Sequence, residues 1–203
     1  MRVLVTGHRG YIGTVMVPML LADTDLYRYC TYGDAPRDVE TILKDVRDIN
    51  AADLDGVDAV VHLAALSNDP LGNINPDLTY DINHHASVNT AKACIEAGVS
   101  RYVFASSCSM YGKAGEDVLD ETAQFTPVAA YAKSKVSVDH AVAAMASDDF
   151  SPTFMRNATA YGVSPRIRFD LVINNLVAWA MTTGKIFSKS DGTPWRPLVQ
   201  SED

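Results

Sequence analysis

Short apolar runs alternate along the chain with longer stretches in which apolar residues recur every three or four positions. Most of the short runs carry consecutive Val, Leu or aromatic residues, as strands covered on both faces do. The candidate strands are Arg2–Thr6, Ala59–Leu63, Arg101–Ala105 and Thr153–Asn157. This alternation of strands with helical patterns predicts an α/β fold with a doubly wound parallel sheet.

The longer stretches have recognisable helix ends. The predicted helices are Tyr11–Leu21, Pro76–Ala97, Ala130–Ala146 and Asp170–Thr183. Asn75 is a favoured N-cap for the second of them, and Pro76 fits its first helical position. Gly98 and Gly184 stand just past two of the predicted ends, where glycine commonly closes a helix.

Two places break this rhythm. After the first helix there is little room for a turn and a second strand, and the only β-rich run nearby is Leu26–Tyr32. The chain also stops at Asp203, shortly after a loop rich in Gly and Pro. We interpret both places as missing sequence.

The composition of the chain argues against several functional classes. With 203 residues, 47% of them apolar, the chain can build a core of ordinary size. A net charge of -8 argues against nucleic acid or an anionic membrane as a partner. The longest apolar stretches are too short to span a bilayer. The three cysteines fit neither a disulfide framework nor a zinc site, so we expect a reduced, cytoplasmic protein without a metal.

A glycine-rich loop follows the first predicted strand and opens the first predicted helix. It reads Thr6-Gly7-His8-Arg9-Gly10-Tyr11-Ile12-Gly13. A dinucleotide-binding loop needs glycine for a tight turn, for close backbone approach to the pyrophosphate and for packing the helix on the strand. The spacing is GxxGxxG rather than GxGxxG, and a turn without function is the alternative. The flanking strand and helix favour cofactor binding.

A tyrosine and a lysine lie four residues apart in the third predicted helix. Tyr131 and Lys135 therefore share one helix face. A phenol with a pKa of about 10 is a poor base at pH 7, but a neighbouring ammonium and a nicotinamide cation both favour the phenolate. Tyr131 can then exchange a proton with a substrate hydroxyl while hydride moves. Taken alone, the pair is better explained as an ordinary surface pair.

A serine-rich segment begins at the carboxyl end of the third predicted strand. It reads Phe104-Ala105-Ser106-Ser107-Cys108-Ser109-Met110-Tyr111-Gly112. Ligands of open α/β sheets sit at that edge, and a serine hydroxyl there can donate to a substrate oxygen on which charge develops. A loop satisfying its own backbone is an equally good explanation of this segment alone. The three signals together, in this order along the chain, favour a functional site over three unrelated local features.

With these motifs the chain resembles the extended short-chain dehydrogenase/reductases, in the branch of NAD-dependent nucleotide-sugar epimerases and dehydratases. The resemblance implies an NAD(P)-binding Rossmann domain over residues 1–165. It makes residues 166–203 the truncated start of a substrate-binding portion, so that this chain alone would be inactive. It also implies Ser107 as a hydroxyl donor, Tyr131 as the acid/base, and Lys135 as its pKa modulator and a ligand of the nicotinamide ribose.

The resemblance assigns binding residues as well. The implied cofactor-binding set is Gly7, Gly10, Tyr11, Ile12, Gly13, Asp23, Asp45, Val46, Leu63, Ala64, Ala65, Asn83, Tyr131 and Lys135. Asn175 and Arg196 join Ser107 as implied contacts to a nucleotide-diphosphate sugar, although an exposed loop charge is the alternative for Arg196. Asp23 is preferred as the acidic residue for the adenosine ribose. Asp34, about 20 residues past the loop, fits better by spacing, and Arg9 leaves NADP open.

The implied reaction is epimerisation, by transient oxidation of a sugar carbon with bound NAD and return of hydride to the other face. A 4-ketoreductase that uses NADPH and a non-catalytic dinucleotide-binding domain are the alternatives. Family dehydratases carry an Asp–Glu pair just after the catalytic hydroxyl residue, where this chain has Cys108 and Ser109. We therefore expect no dehydration.

We also expect a homodimer through the helices Pro76–Ala97 and Ala130–Ala146. Both helices carry small apolar residues at helical spacing, beyond what one sheet face requires. These residues are Ala86, Val88, Ala91, Val138, Ala141 and Val142.

Overall fold

The computed structural model describes residues 1–23, 28–30, 39–67, 72, 74–112, 118–188, 191–193 and 195–203. Six parallel strands form the main sheet in the order β3-β2-β1-β4-β5-β6. They are β1 (Val3–Thr6), β2 (Arg28–Cys30), β3 (Glu40–Ile42), β4 (Ala59–His62), β5 (Arg101–Ser107) and β6 (Ser151–Asn157). The strand order reverses between β1 and β4, which confirms the predicted doubly wound α/β fold.

Helices connect these strands. They are α1 (Gly13–Asp23), α2 (Pro76–Tyr80), α3 (Ala86–Glu96), α4 (Ala130–Ala143) and α5 (Val172–Thr183). The predicted caps are confirmed: the Asn75 side chain accepts a 3.0 Å hydrogen bond from the Leu78 N–H, and Gly184 takes a φ of +68° after α5. The predicted helix Pro76–Ala97 is confirmed as one helical stretch over Pro76–Glu96, in which a wide π-helical turn at Asp81–His85 lies between α2 and α3.

The two faces of the sheet bury different residues of the same strand, since successive side chains point to opposite sides. In β1, Leu4 belongs to the larger apolar core, while Val3 and Val5 pack with Val17 of α1 on the other face. On the larger side, the fully buried Phe104 of β5 lies in the core shared by α3 and α4. These contacts hold α4 against β5.

Four short strands were not predicted or were predicted only in part. The run Leu26–Tyr32 contains β2, which pairs with β1, whereas β3 had no predicted counterpart. A separate two-stranded parallel sheet joins β7 (Thr159–Tyr161) to β8 (Leu198–Gln200). Within the residues described, no helix is both long and apolar enough to cross a membrane.

Candidate active site

The predicted site residues gather at one edge of the sheet. Because all six strands are parallel, their carboxyl ends share one edge, where ligands of such folds bind. Gly7 directly follows β1, Leu63–Ala65 follow β4, and Ser107 is the last residue of β5. Asp45 and Val46 come shortly after β3. The topology therefore brings together segments that are distant in sequence.

The glycine loop packs closely against its neighbours. Gly7 has a φ of +70°, and a Cβ there would lie 2.7 Å from the Ala64 backbone nitrogen. A Cβ at Gly13 would lie 2.5 Å from the His8 Cα. This close packing fits the predicted need for glycine, and the loop opens α1, whose N-terminus carries the positive end of the helix dipole. This end of the helix is suited to an anionic pyrophosphate.

The Tyr11 side chain anchors this loop to the later part of the chain. Tyr11 is 6% exposed, and its hydroxyl donates to the Gly162 carbonyl oxygen at 2.8 Å. The Asn174 amide of α5 donates to that hydroxyl at 3.2 Å, and the Ser164 hydroxyl donates to the Tyr11 carbonyl at 2.8 Å. The phenol and the carbonyl of Tyr11 are thus bonded within the protein. The backbone N–H of Tyr11 is the group left for the predicted cofactor contact.

Lys135 is buried beside Tyr131. Only 2% of Lys135 is exposed, and its Nζ donates to the Ala105 carbonyl oxygen at 2.6 Å. The Nζ lies 4.3 Å from the centroid of the Phe104 ring and 5.6 Å from that of the Tyr131 ring. Burial lowers the pKa of Lys135 to about 7, and Asp139 acts in the opposite direction. The pair is therefore not an ordinary surface pair.

Ser107 caps the turn that follows β5. Its Oγ accepts hydrogen bonds from the Ser109 N–H at 3.2 Å and from the Ser109 hydroxyl at 2.9 Å. Both bonds use the oxygen of Ser107 as acceptor, so its own O–H can donate to a substrate. Burial raises the pKa of the adjacent Cys108 thiol, while the charge of Arg196 lowers it.

Asn83 supports the site from the π-helical turn. Its side chain is fully buried; the Oδ1 accepts from the Leu66 N–H at 2.7 Å, and the Nδ2 donates to the Leu66 carbonyl at 3.0 Å. The Nδ2 also lies 3.4 Å from the Ser134 hydroxyl of α4. The amide faces protein groups, so the structure gives Asn83 a positioning role in place of the predicted direct cofactor contact. Single π turns are frequent at functional sites.

Asn83→Leu is expected to lower the free energy of unfolding by about 2–4 kcal/mol, because it leaves the N–H and C=O of Leu66 without their partner. It should also weaken NAD binding, since the segment after β4 lies against the glycine loop. Asn89→Leu is the matched control. Asn89 is exposed and makes one hydrogen bond, to the Ile49 carbonyl, which contributes about 1 kcal/mol to folding stability. Equal losses in urea unfolding for the two variants would contradict this role.

Asp45 is engaged by a neighbouring arginine. Its carboxylate forms a 2.8 Å ion pair with Arg47 and accepts from the Arg47 backbone N–H at 2.9 Å. These bonds lower the pKa of Asp45 to about 2, and Arg47 also pairs with Asp81 at 3.0 Å. Val46 packs against the larger core. The two residues stand at the predicted edge, with the Asp45 carboxylate held in one orientation.

The structure does not place Asp23 as predicted. Asp23 is the last residue of α1, eleven residues and roughly 16 Å along the helix from its start, and it precedes β2 instead of ending it. Since α1 runs away from the glycine loop, Asp23 lies towards the opposite edge of the sheet. The alternative, Asp34, lies outside the described residues.

The two predicted diphosphate contacts stand on the last part of the chain. Asn175 of α5 donates to the Phe169 carbonyl at 2.8 Å. Arg196 is exposed and lies just before β8, where the Thr159 N–H bonds the Pro197 carbonyl at 3.0 Å. This pairing brings the Arg196 segment beside the end of β6, and the effect of its charge on Cys108 puts Arg196 near the Ser107 turn.

Sequence reasoning missed a buried polar group at the base of the site. Ser106 donates to the Asp139 carboxylate at 2.9 Å, and Arg156 lies 3.6 Å from the same carboxylate. The available signals were the position of Ser106 beside Ser107 and the spacing of Asp139, one helical turn past Lys135.

Comparisons with known proteins agree with this geometry. Residues 3–203 match the model of the NAD dependent epimerase/dehydratase family. UDP-glucose 4-epimerase of Corynebacterium glutamicum is 31% identical over 159 residues, or 72% of this chain and 47% of that protein. MoeE5 in complex with UDP-glucose and NAD has a TM-score of 0.86 at 29% identity, covering 99% of this chain and 68% of that chain.

A dehydratase is equally similar in structure. DesIV, a dTDP-glucose 4,6-dehydratase from Streptomyces venezuelae solved with NAD and TYD bound, has a TM-score of 0.87 at 27% identity. The match covers 100% of this chain and 69% of that chain. The chain spans about half the length of the curated relatives it matches. The predicted family resemblance, Rossmann-type fold and NAD dependence are confirmed at the level of the family.

Proposed function

Because the chain belongs to the NAD dependent epimerase/dehydratase family, we propose that it is the cofactor-binding part of a nucleotide-sugar epimerase. Residues 1–165 form the NAD-binding domain in this proposal, and residues 166–203 begin the substrate-binding portion. The observation that carries it is the buried ammonium of Lys135 beside the Tyr131 ring, at the sheet edge that also holds Ser107.

The chemistry follows from these side chains. Bound NAD would supply the acceptor for a hydride from a sugar carbon and the donor for its return. Tyr131 removes the proton of the hydroxyl on that carbon and gives it back, because the Lys135 ammonium favours its phenolate form. Ser107 donates its O–H to the same sugar oxygen, where negative charge develops.

NAD would be held by backbone and side chains of the glycine edge. Gly7, Gly10 and Gly13 would let the loop backbone approach the pyrophosphate at the start of α1. Neighbouring backbone leaves no room for a Cβ at Gly7 or Gly13, which supports a tight loop there. Leu63–Ala65 would lie along the cofactor, Lys135 would bind the nicotinamide ribose, and the Asp45–Val46 pair would contact adenine. Asn175 and Arg196 would hold the diphosphate of the sugar nucleotide.

The residues after Ser107 favour epimerisation over dehydration. Elimination of water needs an acid for the leaving hydroxyl and a base for the carbon-bound proton. Cys108 and Ser109 stand where family dehydratases carry an Asp–Glu pair. Burial raises the pKa of the Cys108 thiol, and the Ser109 hydroxyl is bonded to Ser107. Neither side chain is suited to that acid–base work.

Bound cofactor tests this proposal against its two alternatives. Purified protein, denatured and assayed enzymatically, is expected to release close to one NAD per chain, because an epimerase regenerates its NAD in each turnover. Protein that turns over nucleotide sugars only with added NADPH would indicate a 4-ketoreductase. Dinucleotide binding without turnover of any nucleotide sugar, in a form with a complete substrate-binding portion, would indicate a non-catalytic domain.

The homodimer remains part of the proposal, but its contacts differ from the predicted ones. Ala91, Val138 and Val142 are buried in the core of a single chain, as is Ala86, so they cannot face a partner. The regular spacing of these apolar residues allows the two helices to pack on the sheet. Exposed apolar side chains in the predicted helix Pro76–Ala97 are Leu78 of α2 and Ile95 of α3.

Sedimentation velocity at micromolar concentration is therefore expected to give about twice the 22.0 kDa chain mass. Ile95→Glu should shift the protein towards monomer by placing a charge in the contact. Val118→Glu, at a fully exposed position before α4, should leave the mass unchanged. A monomer for the unaltered chain would contradict the proposed dimer.

A further inference from the structure

We propose that Asp139 is a positioning residue for the acid–base pair: its buried carboxylate, one helical turn past Lys135, favours the ammonium form of that lysine and fixes the register of α4 against β5. The role in the reaction rests on the proposed function, whereas the coupling of Asp139 to Lys135 concerns the protein without substrate. Nothing in the Tyr131 and Lys135 pattern alone requires an acidic residue at this position.

The Asp139 carboxylate has one hydrogen bond and one longer ion pair, and its Oδ2 accepts no hydrogen bond from the described residues. The residue is 4% exposed, and its Oδ1 accepts from the Ser106 hydroxyl at 2.9 Å. Its Oδ2 lies 3.6 Å from the Arg156 Nε of β6. A buried carboxylate is costly unless it is paired and hydrogen-bonded. Here the pairing comes from two strands, β5 and β6, so Asp139 ties α4 to both.

Two successive turns of α4 are joined to two successive residues of β5. Lys135 donates to the Ala105 carbonyl at 2.6 Å, and one turn later Asp139 accepts from Ser106 at 2.9 Å. Residues four apart in a helix lie on the same face. The two bonds therefore fix how α4 lies along β5. They hold Tyr131, one turn before Lys135, over the end of β5, where Ser107 begins the catalytic turn.

The charges around Lys135 also support a role for Asp139. Burial lowers the pKa of Lys135, and the Asp139 charge raises it. His62 of β4 also faces Lys135, but burial lowers its pKa to about 3, so it is neutral and adds no positive charge. Tyr131 is the remaining titratable neighbour, at 5.6 Å from the Nζ to its ring centroid. Asp139 is therefore the group that favours an ammonium next to Tyr131.

Arg156 and Ser106 oppose the effect of burial on the Asp139 carboxyl, whose pKa is raised overall. Burial raises the pKa of Asp139, while Ser106, Arg156 and Lys135 lower it. The Arg156 guanidinium is itself held in place, because it donates to the Tyr111 hydroxyl at 2.7 Å and to the Glu121 carbonyl at 2.8 Å. Tyr111 belongs to the turn that Ser107 opens, so the charge network connects the general base to the catalytic serine turn.

The test is the pKa of Lys135 in Asp139→Asn. Protein labelled with ¹³C at lysine Cε is titrated by NMR, and the Lys135 signal is assigned by its loss in Lys135→Arg. Removing an opposite charge at close range is expected to lower the pKa by about one unit or more. Asp149→Asn, an exposed position beyond α4, should leave it unchanged. An unshifted Lys135 pKa in folded Asp139→Asn would overturn the proposal.

Ser106→Ala covers the case in which Asp139→Asn does not fold. It keeps the carboxylate but removes the bond that lowers the Asp139 pKa, so the Lys135 pKa should fall by a smaller amount. An unchanged Lys135 pKa in that variant would also overturn the proposal. Because the titration needs no turnover, a shifted pKa together with no epimerisation, in a form with a complete substrate-binding portion, would instead count against the proposed function.

Discussion

Tyr131→Phe is expected to lower epimerisation by about 10²–10⁴-fold, the usual contribution of a positioned general acid–base group. The substitution removes the hydroxyl, with its exchangeable proton, and leaves the ring beside Lys135. NAD affinity should therefore stay the same. Turnover is measured in a form that includes a complete substrate-binding portion, and NAD affinity by calorimetry on the same protein.

Tyr80→Phe provides the matched control for the loss of a phenol hydroxyl. Tyr80 ends α2 and is half-buried, and it has no assigned part in the proton transfer, so loss of its hydroxyl should leave turnover unchanged. If Tyr131→Phe kept turnover within tenfold of the parent, Tyr131 would not be the acid–base group. A fall in NAD affinity as large as the fall in turnover would make Tyr131 a binding residue instead.

Gly13→Ala is expected to disrupt cofactor binding by crowding. The added Cβ would lie 2.5 Å from the His8 Cα and 2.6 Å from the Gly7 carbonyl oxygen, and these backbone atoms cannot turn aside. Overpacking of this kind costs about 1–3 kcal/mol of folding stability. Because the loop itself must shift, NAD affinity should fall at least about tenfold, which corresponds to about 1.4 kcal/mol of binding.

Gly98→Ala separates this effect from a general loss of stability. Gly98 has a φ of +74° and no atom within 4 Å of an added Cβ, so an alanine there costs only backbone strain of about 1–2 kcal/mol. Both variants should unfold at lower urea concentration, but only Gly13→Ala should lose NAD affinity. Equal NAD affinity in the two variants would show that the glycine loop does not contact the cofactor.

The sequence predicts those features that depend on local pattern. Buried strands such as Arg101–Ala105, the Asn75 cap and the glycine turns each leave a signal within a few residues. The shared face of Tyr131 and Lys135 also follows from helical spacing. Their burial does not, because it depends on Phe104 and the Ala105 carbonyl, which only the packing of α4 on β5 brings near.

The features that sequence analysis missed all depend on distant partners. The π turn at Asn83 is stabilised by backbone groups of Leu66, which no helical periodicity reveals. β7 forms because a segment about 40 residues later pairs with it. The prediction for Asp23 rests on its resemblance to a family motif, but Asp23 is the last residue of helix α1. The small residues assigned to a dimer contact serve the core of one chain.

The most direct test of the account follows a labelled sugar through one turnover. A UDP-hexose with deuterium on the carbon whose hydroxyl inverts is incubated with the NAD-containing enzyme, in a form with a complete substrate-binding portion. The epimeric sugar is expected to retain its deuterium, with no exchange of that label with solvent and no net NADH, because the same hydride leaves and returns. A 4-keto-6-deoxy product, detected by its ultraviolet absorbance in alkali, would contradict it and identify a dehydratase.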